Sequence, residues 1–558
     1  MSILRFPGAA STSEWLRTGL VFPSFILLFA ALLSACTKSA KPAATPSSPA
    51  QILRLSQRNE PADLDPATAT LPDEFFILRA LSEGLLIPDP AGGTPLPAAA
   101  ERFTVSPDGL TYTFHLRSDA TWSDGSPVTA TDFIASYRRI LTPATAAPKA
   151  HLFYSVKNAR EFLSGAVTDF SSVGFAAPTP HTLVIILEQP SPRFPYYVAS
   201  GPWLPTSPRA IAQYGRTWTQ PGHFVGNGPF TLTEWRQQQR IVVKKNPRYR
   251  TASSVRLAEI HFIRFDSGDT EERAYRAGQV DVTMSVPFTK IEPYQRDRPA
   301  EIHRAPAAET RFLSFNTTRP ALADARVRRA LSLAINRTQI VERITRGGQS
   351  PATTLIPPPL ADPILATEPA KDVAALRSAT PATARDLLAE AGYPGGKNFP
   401  RFELTAWSPS QSPALEAIQA MWRSELGVEV SIVIHEAKVH LSSFASGSYD
   451  IAFATTSPLL EVADPVALLA NLTSNSANNY PRWHSKPFDD LVAFAASASP
   501  PRQSASFLAE AEVLLAHDCP IAPLYLNTRT WLMSPRVHGW QEDALWTRYY
   551  QDIRLDEK

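Results

Sequence analysis

The sequence predicts an α/β protein with more than one domain, and three observations lead to that prediction. The chain has 558 residues, more than one hydrophobic core usually serves, so two or three domains are expected. Its composition, 44% hydrophobic and 19% charged, is that of a folded globular protein. Residues 403–454 alternate strand, helix, strand, helix and strand, an order that favours parallel pairing in an α/β domain.

Short segments of alternating polarity predict strands in the first half of the chain. In Thr111–Arg117, residues Tyr112, Phe114 and Leu116 fall on one face, as in a half-buried strand. Thr131 is the predicted N-cap of the helix that follows, which has one apolar side. Further strands are predicted at 181–188, 231–235, 241–244 and 259–265.

Helix signals become denser after residue 320. Asp324 is the predicted cap of a helix over 323–344, and Thr380 and Gly392 bracket a helix over 381–391. The α/β segment then follows as strand 403–406, helix 414–426, strand 428–434, helix 439–446 and strand 449–454.

The first 36 residues are typical of an export signal. Arg5 and Arg17 precede the apolar run Gly19–Leu33, which is short for a membrane-spanning helix of roughly 20 residues. The run meets Leu-Ser-Ala-Cys at 33–36, which resembles the lipobox of bacterial lipoproteins. We therefore predict a lipoprotein signal peptide over 1–35 and lipidation of Cys36. An ordinary signal peptide cut nearby and an N-terminal anchor helix are the alternatives.

Residues 36–50 are predicted to tether a soluble body to a membrane surface. Thr37–Ala50 is poor in apolar bulk and holds three prolines, so it is expected to stay extended over roughly 40 Å. Lipidation of Cys36 leaves Cys519 without a disulfide partner, and its apolar neighbours predict a buried thiol. Removal of residues 1–35 lowers the formal net charge from +2 to +1, because Arg5, Arg17 and Glu14 are lost.

Charge and motifs exclude several function classes. The 54 Lys and Arg residues nearly balance 52 Asp and Glu residues, and no basic block is present, so a nucleic-acid partner is not expected. His435 and His440 are five positions apart, about 140° around a helix, which does not suit the zinc pair of a metalloprotease. No Gly-x-Ser-x-Gly elbow or phosphate-binding loop occurs. We predict no catalytic site, metal or cofactor, and binding rather than turnover.

A set of short motifs runs in order from about residue 52 to the end of the chain. The densest block is 113–133, with Thr113–Arg117, Ala120–Gly125 and Pro127–Phe133. The other motifs are Leu64–Pro66, Leu81–Ile87, Gly226–Phe230, Asn246–Pro247, Phe315–Asn316, Ala325–Leu331, Leu387–Tyr393 and Ala463–Pro465. With these motifs the chain resembles the family 5 solute-binding proteins of ABC transporters, which include the periplasmic oligopeptide- and dipeptide-binding proteins.

The resemblance implies a two-lobed fold of the periplasmic-binding-protein type II class, with an additional domain on the first lobe. Carried over to this chain, lobe I comprises 51–82, 207–308 and 528–558. The additional domain comprises 83–206, and lobe II comprises 309–527. The motif-rich block 113–133 then belongs to the scaffold.

The resemblance also implies which residues contact a ligand. In peptide-binding members an acidic residue four positions before the proline of an Asp/Glu-Pro pair anchors the ligand's ammonium group. Counting back from Pro465 gives Glu461, and Asp464 is the competing candidate. A carboxylate in a closed cleft suits this task, because an unpaired charge there excludes ligands that lack the amine.

The family also holds the peptide backbone like an added strand. The corresponding positions are Thr70, Leu71 and Pro72 in lobe I and Thr455, Thr456 and Ser457 in lobe II. Pro72 lacks an N–H. The family's basic residues for the ligand's C-terminus align with Pro413, Phe444 and Phe453, which cannot pair with a carboxylate. Lys149 is a further candidate for the contact with the ligand's C-terminus. If no basic residue makes this contact, the ligand is longer or is not a simple peptide.

Three functions stay open. The first is a monomeric, lipid-anchored, periplasmic or cell-surface receptor that captures peptides and delivers them to inner-membrane ABC permease subunits. The second is a receptor of the same fold for a glycan, a metal chelate or haem. The third is a secreted enzyme or adaptor that uses the same fold. The expected mechanism is closure of two lobes over the ligand, which a permease then recognises.

Overall fold

A computed structural model describes residues 50–91, 94–360, 373, 380–456, 462, 464–498, 501–541 and 543–556. Within these residues the chain forms two four-stranded sheets and one six-stranded sheet, with two smaller two-stranded sheets. The main helices are Pro72–Leu81, Ala130–Leu141, Ala159–Ser164, Phe194–Val198, Pro208–Tyr214, Gly268–Arg276, Phe288–Asp297, Pro320–Ala323, Ala325–Leu333, Arg337–Gln339, Pro381–Glu390, Ser412–Leu426, Ala437–Ser446, Pro465–Ala470, Lys486–Ser497 and Pro501–Asp518.

The first sheet joins the start of the body to a later segment of the chain. Its strands lie in the order Ile52–Gln57, Glu259–Arg264, Arg240–Lys245 and Phe230–Arg236. The first pair is parallel and the other two pairs are antiparallel. Helix Pro72–Leu81 and the C-terminal strands Val537–His538 and Arg554–Leu555 share its core, which includes Leu53, Ile77, Phe230, Val243, Phe262 and Leu555.

The second sheet lies within residues 100–186 and has an aromatic core. Its strands follow the order Ala100–Val105, Thr111–Leu116, Thr182–Ile186 and Phe175–Thr179. Tyr112, Phe114 and Leu116 are buried as predicted. The predicted cap of the next helix is wrong by two residues. The helix begins at Ala130, and the N–H of its N-cap, Thr129, donates to the Asp132 carboxylate at 2.9 Å.

The six-stranded sheet confirms the predicted α/β segment. Its order is Ser350–Pro351, Ile521–Leu532, Ile302–Phe315, Ile451–Thr455, Phe402–Ala406 and Val430–Ile434. The last three strands are parallel to one another, as their alternation with helices predicts. Apolar clusters cover both faces of the sheet, and Cys519 is buried beside one of them.

The predicted helix over 323–344 is wrong in length. It begins after the predicted cap Asp324, whose carboxylate accepts from the Arg326 N–H, but it ends at Leu333. Asn336 then caps a new turn by accepting from the Gln339 N–H at 2.9 Å. Arg337 donates to the carbonyl groups of Ser332 and Ile335 and satisfies the end of the first helix. Asparagine favours such caps over helix interiors, because its side chain competes for backbone N–H groups.

Candidate ligand-binding cleft

Two long strands, which we call the connecting strands, lead from the first-sheet region into the six-stranded sheet. Ile302–Phe315 and Ile521–Leu532 pair antiparallel, with Ile302 opposite Leu532. Near this end Thr283 exchanges hydrogen bonds with Leu532, and its neighbour Val282 bridges to the first sheet. Further along, the pairing register shifts between Pro306 and Thr310. The ladder is therefore interrupted where the strands enter the six-stranded sheet.

Three side chains mark the edge of the six-stranded sheet next to this interruption. Arg311 lies opposite Thr455 in register, at the carboxyl end of the parallel strands. Trp407 directly follows the neighbouring parallel strand Phe402–Ala406. The Arg311 guanidinium lies 5.5 Å from the centre of the Trp407 ring. In open α/β sheets ligands bind at the carboxyl ends of the strands, so this edge is the lobe II wall of a candidate cleft.

The predicted lobe II contacts divide between described and undescribed positions. Thr456 is fully buried, donates its N–H to the Thr310 carbonyl at 3.1 Å, and accepts from the Thr310 N–H through Oγ1 at 2.9 Å. Those bonds tie Thr456 to the connecting strand. Thr455 ends its strand opposite Arg311. Ser457 and Glu461 lie outside the described residues.

The predicted lobe I contacts precede helix Pro72–Leu81. Pro72 is the first residue of this helix, where a missing N–H costs nothing. The N–H groups of Thr70 and Leu71 donate to Glu74 Oε2 at 2.7 and 2.9 Å. The N–H groups of Thr70 and Leu71 are therefore engaged within the protein, and the Leu71 carbonyl accepts from the Glu74 N–H at 3.1 Å.

An arginine and tryptophan cluster packs against the same helix. Trp546 meets Phe76 edge-on, with ring centres 5.6 Å apart. The Arg529 guanidinium lies 4.0 Å from the centre of the Trp546 ring, and that of Arg548 lies 4.7 Å from the Phe76 ring. The same C-terminal segment reaches one of the connecting strands, because the Ala544 carbonyl accepts from the Ala308 N–H at 2.9 Å. Residues near 546 therefore contact both helix Pro72–Leu81 and a connecting strand, and we take them as the base of the candidate cleft.

The positions considered for a ligand carboxylate lie in different settings. Phe444 and Phe453 are buried in the apolar clusters of lobe II, and Pro413 is exposed in the first turn of its helix. The Lys149 ammonium lies 4.9 Å from the centre of the Phe75 ring. Since Phe75 is in helix Pro72–Leu81, Lys149 lies beside the predicted lobe I contacts.

Asp464 connects the part predicted as lobe II with the part predicted as the additional domain. It is the N-cap of helix Pro465–Ala470, and its carboxylate accepts from the N–H groups of Val466 and Ala467. It also pairs with Arg193, whose guanidinium donates to Ser504 Oγ at 3.3 Å. Complete burial raises the pKa of the Asp464 carboxyl group, while the charge of Arg193 opposes that rise. These bonds occupy the carboxylate within the protein.

A hydrophobic contact accompanies this ion pair. Val462 is 1% exposed and packs into the apolar cluster around the second sheet, and Ala467 packs against the same cluster. We refer to Arg193, Asp464, Ser504 and Val462 together as the mouth contact. The mouth contact joins the Asp464 region to the region of the second sheet through side chains, and not through continuous backbone.

Sequence reasoning missed Arg193, Arg311 and Trp407. Arg193 lies in the proline-rich segment 190–208, and the only signal there was a single charge among apolar and proline residues. Arg311 is a charge next to the apolar end of its strand, which also holds Arg304 and Glu309, and Trp407 follows a predicted strand. A charged residue inside a buried strand is the signal that points to Arg311.

Two properties of the described residues bear on other functions. No helix there combines the length and the apolar character needed to cross a membrane. No three His, Cys, Asp or Glu side chains in the described part gather as metal ligands. His440 instead contacts the Phe453 carbonyl through Nε2 at 3.2 Å, and burial lowers its pKa to about 4.

Comparisons with known proteins identify the class. A family model described as "Bacterial extracellular solute-binding proteins, family 5 Middle" matches residues 94–480. The fold and the cleft thus define a solute-binding protein with two lobes of the type II class. The chain belongs to the bacterial extracellular solute-binding proteins of family 5. The relatives are binding proteins rather than enzymes, and the family supports export of this chain.

The relatives include two proteins of Escherichia coli K12. The periplasmic oligopeptide-binding protein OppA is 32% identical over 511 residues, covering 90% of this chain and 92% of OppA. The probable deoxycholate-binding periplasmic protein YgiS is 32% identical over 502 residues, covering 89% of this chain and 92% of YgiS.

Two solved structures of one relative differ in how well they match. The E. coli murein tripeptide-binding protein MppA, 29% identical, superposes with a TM-score of 0.82 over 91% of this chain and 98% of its own. MppA in its unliganded open form gives 0.70 over 91% of this chain and 99% of its own. The lobes of this chain are therefore arranged less like the open form.

Proposed function

We propose that the chain is an exported lipoprotein that captures peptides between two closing lobes and delivers them to the permease of an ABC transporter. Residues 51–82, 207–308 and 528–558 serve as lobe I, 83–206 as the additional domain and 309–527 as lobe II. Cys36 carries the lipid, 37–50 form the tether, and the receptor works as a monomer.

The observation that carries the proposal is that two different connections join the lobes, namely the connecting strands and the mouth contact. The connecting strands have an interrupted ladder between Pro306 and Thr310, where a bend breaks few backbone hydrogen bonds. The mouth contact is made by side chains alone. A ligand that touches both lobes stabilises the closed arrangement by its higher affinity for that state. The lower TM-score against the open form of MppA agrees with closure.

For the ligand's ammonium group we propose Glu461, with Asp464 as the alternative. The bonds of Asp464 to Arg193 and to its helix favour Glu461. Thr455 and Ser457 then flank the peptide in lobe II, while Thr456 supports the strand from behind. Thr70, Leu71 and Pro72 border it in lobe I.

Calorimetry with a pool of short peptides and its N-acetylated counterpart tests peptide capture and the amine anchor. Wild type is expected to prefer free amines by about 10-fold or more, the value of a charge-assisted hydrogen bond. Glu461→Gln should abolish that preference, and Glu416→Gln, an exposed helix position, should keep it. Equal affinity of wild type for both pools rejects the anchor, and no binding of either pool rejects peptide capture.

Anchoring and delivery need separate experiments. Mass spectrometry of the membrane fraction should detect a diacylglyceryl-modified Cys36 at the N-terminus of the mature chain. Cys36→Ala should move the protein to the soluble fraction while leaving peptide affinity unchanged. Uptake of a labelled peptide should fall when the protein is deleted and return with wild type. An unmodified mature N-terminus rejects the lipid anchor, and unchanged uptake after deletion rejects delivery.

The similarity to YgiS supports one alternative, an amphipathic carboxylic acid as ligand. YgiS matches this chain with the same identity as OppA, and the aromatic cluster around Trp546 offers a surface for an apolar ring system. Deoxycholate titrated in the same calorimeter distinguishes the two ligand classes. Tight binding of deoxycholate without binding of the peptide pool favours this alternative.

A further inference from the structure

Arg311 combines partial burial with incomplete pairing. Its side chain is 19% exposed, and one ion pair is formed, from Nη2 to Glu309 Oε2 at 3.3 Å. A guanidinium has five N–H donors. Within the described residues, its Nε and Nη1 groups make no hydrogen bond. The other contact of the guanidinium is with the Trp407 ring.

Glu309 does not neutralise Arg311 as a dedicated partner. Its Oε2 atom also accepts from Asn527 Nδ2 at 2.7 Å, which is shorter than its distance to Arg311. A bidentate arginine–carboxylate pair uses two parallel N–H donors, whereas this one uses one. Tyr525, opposite Arg311 on the other neighbouring strand, contributes a hydroxyl group whose pKa is raised by burial and therefore no negative charge.

Two other arginines of lobe II, the buried Arg328 and the half-buried Arg337, show what a structural guanidinium looks like in this protein. Arg328 donates to the carbonyl groups of Leu322, Ala323, Asp518 and Cys519. Arg337 donates to the Ser332, Ile335 and Pro523 carbonyl groups and to the Ser332 hydroxyl group. Both use most of their donors inside the fold. Arg311 differs because most of its donors are left for another group.

The position of Arg311 directs those donors toward the cleft. It lies opposite Thr455 at the edge where the parallel strands end, and its guanidinium lies over the Trp407 ring, 5.5 Å from the ring centre. A cation–π contact does not use the N–H donors of a guanidinium, and a planar anion binds two of them side by side. Among the groups of a ligand, a carboxylate forms the most favourable interaction with a partly desolvated cation that has unpaired N–H donors.

We infer that Arg311 is a subsite for a carboxylate of the ligand and selects acidic over amidated ligands. The inference rests on the proposed capture of peptides and names a part of the ligand that this capture recognises. Two sources supply the same chemistry: the C-terminal carboxylate of a peptide, or the side chain of an aspartate or glutamate within it.

Four tripeptides distinguish the sources in calorimetry: trialanine, trialanine amide, Ala-Glu-Ala amide and Ala-Gln-Ala amide. For a C-terminal source, wild type binds trialanine at least 10-fold more tightly than its amide. For a side-chain source, it binds the glutamate peptide at least 10-fold more tightly than the glutamine peptide. In either case Arg311→Gln should reduce the ratio to about 1 by weakening binding of the acid alone.

Two further variants keep the test specific. Arg401→Gln removes an arginine that is 79% exposed and pairs with Glu429 on the surface of the same lobe, and it should leave all four affinities unchanged. Glu309→Gln removes the competing carboxylate and should tighten binding of the acid about threefold or more. Thermal melting of each variant shows whether it is folded. An acid preference that survives in Arg311→Gln, or its absence in wild type, overturns the inference.

A negative result for peptides separates this inference from the proposed function. If wild type binds none of the four tripeptides and none of the longer peptide pool, peptide capture is rejected. The compounds released from purified wild type and Arg311→Gln by denaturation are then compared by mass spectrometry. A carboxylic acid present in wild type and at least 10-fold depleted in the variant supports the subsite. A ligand retained by both proteins, or none in either, overturns it.

Discussion

The connecting strands and the mouth contact join the region of the six-stranded sheet to the rest of the molecule in different ways. The connecting strands are continuous chain with a backbone ladder, and Leu532 among them is fully buried. The mouth contact consists of one ion pair, one hydroxyl group and the packing of Val462. Breaking the connecting strands disrupts secondary structure and the hydrophobic core, whereas breaking the mouth contact only separates side chains. We therefore expect changes at the strands to affect folding, and changes at the mouth to affect closure.

The largest effect is expected from Leu532→Ala. Leu532 packs with Tyr275, Val286, Ile291 and Tyr294, and removing a buried leucine side chain costs about 2–5 kcal/mol of unfolding free energy. Urea unfolding followed by tryptophan fluorescence measures this loss. Leu441→Ala, at a position 38% exposed, is the matched control and should lose far less. A loss in ligand affinity without a loss in stability would contradict the expectation that changes at the connecting strands affect folding.

His440 gives a pH-dependent effect on the folding side. Its folded pKa of about 4 lies below the usual value of about 6.5, so the unfolded chain binds the proton more readily. The stabilisation is complete above pH 6.5 and is lost as the pH falls toward 4, by about 3 kcal/mol. Urea unfolding at pH 7, 5 and 4 measures it.

His440→Gln is the control for this pH effect. It removes the titrating group, and the difference in unfolding free energy between wild type and variant should shrink as the pH falls. Ligand affinity per folded molecule should change little, because His440 is buried against the Phe453 carbonyl. A constant difference across this pH range would show that His440 is not held neutral.

The smallest effect on stability, and the largest on closure, is expected from Arg193→Met. The variant removes a charge-assisted hydrogen bond to Asp464 worth about 1.5–3 kcal/mol, which the open arrangement does not need. Ligand affinity should fall by about 10- to 100-fold, while the melting temperature without ligand changes little. Arg102→Met, whose side chain is 59% exposed beside Glu101, is the matched control. Unchanged affinity would mean that the mouth contact does not contribute to closure.

The sequence predicted the parts of the fold that depend on local periodicity. The alternation in Thr111–Arg117 and the order of elements in 403–454 were sufficient, because each strand or helix buries a face that its own pattern displays. The helix predicted over 323–344 is interrupted at Asn336. The apolar pattern continues past this residue, but the asparagine side chain caps a new turn.

The cleft was less predictable because its contacts join distant positions. Arg193 and Asp464 are 271 residues apart, and Arg311 meets Trp407 only because the sheet brings their strands together on either side of Ile451–Thr455. The predicted N–H donors of Thr70 and Leu71 are engaged by Glu74, a bond that the capping sequence suggests only once the helix is known to begin at Pro72. The roles of Glu461, Ser457 and Cys36 stay predictions.

Small-angle X-ray scattering of the mature chain, with and without a ligand shown by calorimetry to bind, tests the central claim that the lobes close over it. Saturating ligand is predicted to reduce the radius of gyration of wild type to the value calculated from the arrangement described here. Arg193→Met should reach the same value at a higher ligand concentration. A radius of gyration that stays constant while ligand binds would contradict closure.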